Sequence, residues 1–197
     1  EDVGDAQRDA LCRSPGESQD DVGMPFFSDG RGRWSRMSPT ADVAYCVNDA
    51  NGLFYETYVF RNGEGTPLEA VIAFRGTENY NGQTGLDWRT NLSALFGFEP
   101  PQYELALERL DGVIAALSVL NKDMEIPIYV AGHSLGGGLA QQAGYRFAEV
   151  DAVYTFNTSP VTNWSWMSIS DNVRNSYPII YRVYHTGEIL EKVRFVT

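Results

Sequence analysis

Histidine and cysteine are scarce in this chain, two of each among 197 residues, and its apolar runs are only a few residues long. A helix that crosses a bilayer needs about 20 consecutive apolar residues, so nothing in the sequence reads as one. No apolar leader stands at Glu1, and the numbering is therefore expected to start within a mature or trimmed chain. Neither Cys12 nor Cys46 belongs to a Cys-x-x-Cys pair or a Cys/His cluster, which excludes a recognisable metal or redox motif. Basic residues are also outnumbered, 15 Lys and Arg against 26 Asp and Glu, for a formal net charge of −11. That imbalance argues against a nucleic-acid partner and leaves no basic patch for anionic membranes; its direct effect is solubility.

With 43% hydrophobic residues in 197, the chain can bury one core but not two comfortable ones. Residues 1–40 are rich in Asp, Gly, Ser and Arg without helical or alternating period, and read as an irregular arm docked through Met24, Pro25, Phe26, Phe27 and Trp34. Residues 41–197 read as the folded domain. Two readings stay open for the cysteines. A Cys12–Cys46 bridge would tie the arm to the domain and indicate the periplasm or the cell exterior, whereas two buried thiols would fit the cytosol. So polar an arm has little apolar surface to dock with, which favours the bridge and the periplasmic or secreted location.

Leu53 to Phe60 and Leu68 to Phe74 have strand character around an Asn62-Gly63 turn signal, and predict an antiparallel pair. Leu105, Leu107, Leu110, Val113, Ile114, Leu117 and Leu120 recur with helical spacing after Pro100-Pro101. Ile126 to Ala131 is a short apolar strand, Leu135 to Ala148 an Ala-rich helix, and Ala152 to Phe156 and Ile179 to Tyr184 two more strands. Alternating strands and helices imply an α/β chain with a parallel sheet covered on both faces.

Between one strand and its helix lies Gly132-His133-Ser134-Leu135-Gly136. Gly-x-Ser-x-Gly alone is weak evidence, but a buried strand before it and a helix after it are the setting that an exposed nucleophilic serine requires. A serine on so tight a turn takes a strained backbone conformation, and the two glycines lack the Cβ atoms that would collide there. The helix start then offers N–H groups to a developing oxyanion. His133 is expected to lean away from Ser134 into the sheet or neighbouring strands, for packing or a structural hydrogen bond and not as a base.

Four blocks together resemble the class 3 lipase family of α/β-hydrolases, from about Tyr45 to Leu190: Ala73 to Thr77, Asp87-Trp88 with Asn91-Leu92, Gly132 to Gly136, and Tyr181 to Leu190. The resemblance implies an α/β-hydrolase fold with a mostly parallel central sheet covered by helices, here lacking its C-terminal part. It implies Thr77 and the Leu135 N–H as oxyanion donors, with Arg75 anchoring their loop. It also places Glu188 where the family usually has Asp, as the acid that orients a histidine; Asp151 and Asp171 are weaker alternatives. Asn79 to Pro100, with Trp88, Phe96 and Phe98, occupies the place of a lid. Phe156 to Val161 departs from the family's Gly-x-Pro-Arg-Val-Gly turn, and the Trp164 and Trp166 that follow suit an acyl site, a lipid surface or core packing equally.

The fold's chain order is Ser, acid, His, yet no histidine follows Glu188. His185 sits at the position of a non-catalytic family histidine and is the weaker candidate for the base. The base is therefore expected on a C-terminal fragment or complementary chain. The implied activity is hydrolysis of a carboxylic ester of a lipid, of lipase or phospholipase type, with transient membrane-surface contact and no metal or cofactor. The alternatives are a catalytically silent lipase-like binding module and an acyltransferase using the same serine.

Overall fold

The computed structural model describes residues 26–27, 32–48, 53–76, 100–158 and 178–186, and of residues 26–27 and 100–105 the backbone alone. Their eight strands form one sheet: β1 (Phe26–Phe27), β2 (Gly32–Arg36), β3 (Cys46–Asn48), β4 (Phe54–Arg61), β5 (Pro67–Phe74), β6 (Ile128–His133), β7 (Val150–Phe156) and β8 (Ile179–Val183). Two helices join them, α1 (Pro100–Ser118) between β5 and β6 and α2 (Leu135–Arg146) between β6 and β7. The spatial order is β1-β2-β4-β5-β6-β7-β8, with β3 beside β4. From β5 to β8 every pairing is parallel, and from β1 to β5 every pairing is antiparallel. The α/β class inferred from alternating elements is the one observed.

The expected pair β4–β5 forms, and its turn is built on Asn62. Asn62 Oδ1 accepts from Glu64 N–H at 3.0 Å and Thr66 N–H at 2.8 Å, and the positive φ, 87°, falls at Gly65 and not at the Gly63 of the turn signal. The free edge of β4 is shared: Phe54 to Glu56 pair with β3, Tyr58 to Arg61 with β2. Part of the segment expected to be irregular is thus strand. Its apolar alternation is too short to read, and β2 exists because β4 offers it an edge. Trp34 docks as expected, with its ring 5.5 Å from Phe60.

Leu110, Val113, Ile114 and Leu117 recur every three or four residues on α1 and are buried. They meet Tyr55, Val59, Ile72, Ile128, Val130 and Val153 from the sheet and Ala140 and Ala143 from α2 in one cluster. These strand residues all point to one sheet face. Both described helices therefore cover the same face; of the two faces expected to carry helices, this is the one covered among the described residues. The reason is handedness: β5, β6 and β7 succeed one another in a single direction, and right-handed crossovers taken in one direction stay on one side. On the other face Tyr129, Tyr154 and Tyr181 form a ladder with ring centroids 6.0 and 4.9 Å apart. Beside it Phe156, Ile179 and Val183 are 46%, 60% and 52% exposed.

Tyr55 illustrates how closely the covered face is packed. Its side chain is fully buried, its hydroxyl donates to Ala44 O at 2.8 Å, and burial raises its pKa well above 10.0, only partly opposed by Arg109. A folded-state pKa raised in this way gives stability that is complete below the unfolded tyrosine pKa of about 10 and is lost as pH climbs toward the folded value. Urea unfolding should therefore show a falling midpoint above pH ~10, and Tyr55→Phe should flatten that fall while costing about 1 kcal/mol at neutral pH. An alkaline slope identical in the variant would contradict the assignment.

Candidate active site

Ser134 follows the last residue of β6 and caps α2, at φ 54° and ψ −122°. That region costs a non-glycine residue on the order of 1–3 kcal/mol and persists only where the surroundings enforce it. Four neighbours do so. Ser134 N–H donates to Phe156 O at 3.0 Å, and Ser134 O accepts from Gly137 N–H at 3.0 Å. A Cβ on Gly132 would stand 2.1 Å from Gly136 O, and one on Gly136 would stand 2.6 Å from Phe74 O and 2.8 Å from Arg75 O. The steric role expected of both motif glycines is thus present: the first turn of α2 lies directly on the ends of β5 and β6.

The same geometry frees the hydroxyl. Ser134 is the N-cap of α2, yet its side chain makes no capping hydrogen bond. The turn sits at the C-terminal end of a parallel strand, where α/β sheets bind ligands, and Leu135 is the first residue of a helix of 12. Unbonded N–H groups at such a start favour negative charge. Gly76 closes the other side, since a Cβ there would stand 2.9 Å from His133 O and 3.3 Å from Ser134 Cβ. Arg75 lies over the Phe54 ring at 4.0 Å and its N–H donates to Phe54 O at 3.1 Å, an anchoring arrangement for the end of β5.

His133 is exposed, contrary to the expectation that it packs into the sheet. Alternation along β6 puts it on the face of Tyr129 and Ala131, which the described helices leave open. His185 is exposed too; its N–H donates to Asn157 Oδ1 at 2.7 Å and its Nδ1 lies 3.2 Å from Thr186 O. Neither histidine is hydrogen-bonded to Ser134 Oγ. Asp151 is removed as an acid candidate: it is the second residue of β7 and accepts from Ile128 N–H at 2.8 Å, at the end of the sheet opposite Ser134. Cys46 is buried on β3 and disulfide-bonded. Thr77, Glu188, Trp88, Phe96, Phe98, Trp164, Trp166, Asp171 and Cys12 lie outside the described residues.

Residues 157–158, which the sequence marks as a departure from a family turn, follow the Phe156 whose carbonyl accepts from Ser134 N–H and lie against the start of α2. Asn157 holds φ 44°, and Thr158 packs so close to α2 that a Cβ on Gly137 would stand 2.5 Å from its Oγ1. The available signal was the asparagine itself, which tolerates left-handed backbone better than most residues.

A protein-family model described as Phospholipase-like, Tle-like phospholipase domain, matches residues 34–194. The chain is 26% identical over 140 residues to the extracellular phospholipase A1 of Serratia liquefaciens, a stretch that covers 69% of this chain and 38% of that protein. It is also similar to a solved structure from a study of two fungal esterases of Rhizomucor miehei, with a TM-score of 0.36 and 15% identity over 86% of this chain and 56% of that one. The chain therefore spans less than two thirds of the length of either relative. A lipase-like family was expected from about Tyr45 to Leu190, and the match covers that range and extends it at both ends.

Proposed function

The chain belongs to the phospholipase-like family with a Tle-like phospholipase domain, and from that premise we propose that it hydrolyses a carboxylic ester of a lipid through an acyl-enzyme on Ser134. The observation that carries the reading is the Ser134 turn itself: a strained serine, uncommitted to capping, between a parallel strand and a helix start.

In this mechanism Ser134 Oγ attacks the ester carbonyl and its proton passes to a histidine base. The carbonyl oxygen becomes an oxyanion beside the Leu135 N–H and Thr77, which follows the Gly76 that touches the turn. Such donors act on charge that appears only on the way to the tetrahedral intermediate, and each is worth about 3 kcal/mol of barrier. Collapse breaks the bond to the alcohol, which leaves with the proton. Water, deprotonated by the same base, then releases the fatty acid. Glu188, five residues beyond the end of β8, orients the base.

The base itself is assigned to a histidine outside these 197 residues, on a C-terminal fragment or complementary chain. The aromatic face of β6 to β8, which the described helices leave uncovered, would offer such polypeptide apolar area to pack against. Trp88, Phe96, Phe98, Trp164 and Trp166 are assigned to the lid and lipid-contact surface. The relative from Serratia is extracellular, and together with the disulfide-bonded Cys46 this supports a periplasmic or secreted location.

A fluorophosphonate probe on the complete protein should label Ser134, with the adduct mapped by peptide mass spectrometry, and fatty acid should be released from phospholipid vesicles. Lipid hydrolysis without labelling would overturn the acyl-enzyme. Absence of both, with vesicle binding intact, would replace it by the silent binding module. Transfer of the acyl group to an added alcohol in preference to water would make the protein an acyltransferase.

A further inference from the structure

The corner after β7 contacts three elements of the site at once. Phe156 O accepts from the N–H of Ser134, and Asn157 N–H donates to Val183 O at 2.9 Å. Asn157 Oδ1 accepts from His185 N–H at 2.7 Å. Thr158 Oγ1 accepts from Gln141 Nε2 at 3.0 Å, and Gln141 Oε1 accepts from Arg182 Nε at 2.9 Å. Both Gln141 and Thr158 are buried, so their bond lies away from water, where it is stronger and costlier to lose, and the exposed Arg182 extends the network from α2 and the corner to β8.

The Asn157 contacts follow the rule of a parallel ladder. In such a ladder one residue donates its N–H to one carbonyl of the neighbouring strand, and its own carbonyl accepts from the N–H two residues further along. Asn157 N–H reaches Val183 O in that way. Its backbone has turned to φ 44°, and it is the side-chain oxygen that receives the His185 N–H. One residue thereby ends β7 and still provides β8 with one more rung. Without it, the backbone after Val183 would leave the sheet with no fixed direction.

We propose that Asn157 is a positioning residue for the catalytic acid: it sets the course on which the chain leaves β8 toward Glu188, three residues past His185, while the adjoining Phe156 carbonyl holds the nucleophile. This rests on the function proposed above, with Glu188 as acid. Acid and serine are then referenced to the same two-residue corner. Misplacing a catalytic group by about 1 Å can cost on the order of 100-fold in rate, so the corner bears on kcat and not on lipid binding.

The experiment compares Asn157→Gly and Asn157→Asp in the complete protein. Glycine keeps the left-handed backbone and removes the acceptor; aspartate restores an acceptor of the same shape. Asn157→Gly should lower kcat by about 10- to 100-fold with KM within about twofold, whereas Asn157→Asp recovers most of the loss. In a Glu188→Gln background the glycine variant should lose little more, because both changes act through one group. An unchanged kcat in Asn157→Gly, an equal loss in Asn157→Asp, or full additivity with Glu188→Gln would overturn the proposal. Ser134→Ala and Glu188→Gln measured alone separate the two failures. If Ser134→Ala abolishes activity and Glu188→Gln lowers kcat to a small measurable remainder while Asn157→Gly leaves kcat unchanged, this inference alone falls; if either of the first two retains wild-type kcat, the proposed function falls and this inference with it.

Discussion

Ser134→Ala should lower kcat for lipid-ester hydrolysis by about 10⁶-fold, the scale on which serine hydrolases lose activity when the nucleophile is removed, and should leave the fold standing. The two halves of this expectation have different causes. The activity loss follows because no other hydroxyl is presented on this turn, so the two-step route closes and only binding and oxyanion contacts remain. The tolerance follows because the hydroxyl makes no capping bond, so its removal leaves no partner unsatisfied. Alanine meets the same strained φ as serine, and the thermal midpoint should move by no more than about 4 °C, the shift of roughly 1 kcal/mol in a chain of this size. Turnover measured with phospholipid vesicles, beside calorimetry of the same preparation, checks both halves. Activity within about tenfold of wild type would end the assignment of Ser134, since loss of a true nucleophile leaves no such residue of rate.

Gly136→Ala and Gly132→Ala should act on stability first. The new methyl would enter at 2.1 to 2.6 Å from backbone oxygens, and backbone cannot rotate aside as a side chain can. α2 would have to lift off β5 and β6, carrying its buried Leu139, Ala140 and Ala143 out of the core. Losses above about 4 kcal/mol are reserved for such events, and they are a large fraction of the 5–15 kcal/mol that holds a typical domain together. Soluble yield and the urea midpoint should both collapse. Gly112→Ala is the matched control: it lies on the exposed side of α1, where an added Cβ meets nothing within 4 Å, and helix propensity alone should make it neutral or stabilising by about 1 kcal/mol. Equal behaviour of Gly112→Ala and Gly136→Ala would show that the close approach at the turn is not what the glycines serve.

Much of the candidate site was legible in the chain because its constraints are local. Two glycines four residues apart around a serine, after an apolar strand and before an Ala-rich helix, encode a tight turn through the absence of Cβ atoms, and the turn has that form. The helix at Leu110, Val113, Ile114 and Leu117 was legible for the same reason, since its period lies within one element. His133 was misread because neighbouring side chains diverge by rule, but whether the outward one finds cover depends on the far side of the sheet. β2 was missed because five residues carry too little pattern, and its ladder partners lie on β4. Asn157 was seen only as a substitution, for its meaning comes from Val183 and His185.

Contiguous residues were enough for the class of the fold and for the place and form of the turn at Ser134, because periodicity and glycine sterics act within one or two neighbouring elements. Strand order and register were needed to set the two described helices on one face of the sheet, Asp151 at the end opposite Ser134, and the corner after β7 against both Ser134 and the end of β8. Those contacts join distant residues, 58 positions apart for Ala70 beside Ile128, 22 for the bond of Ser134 to Phe156 and 28 for that of Asn157 to His185, and no local pattern specifies them.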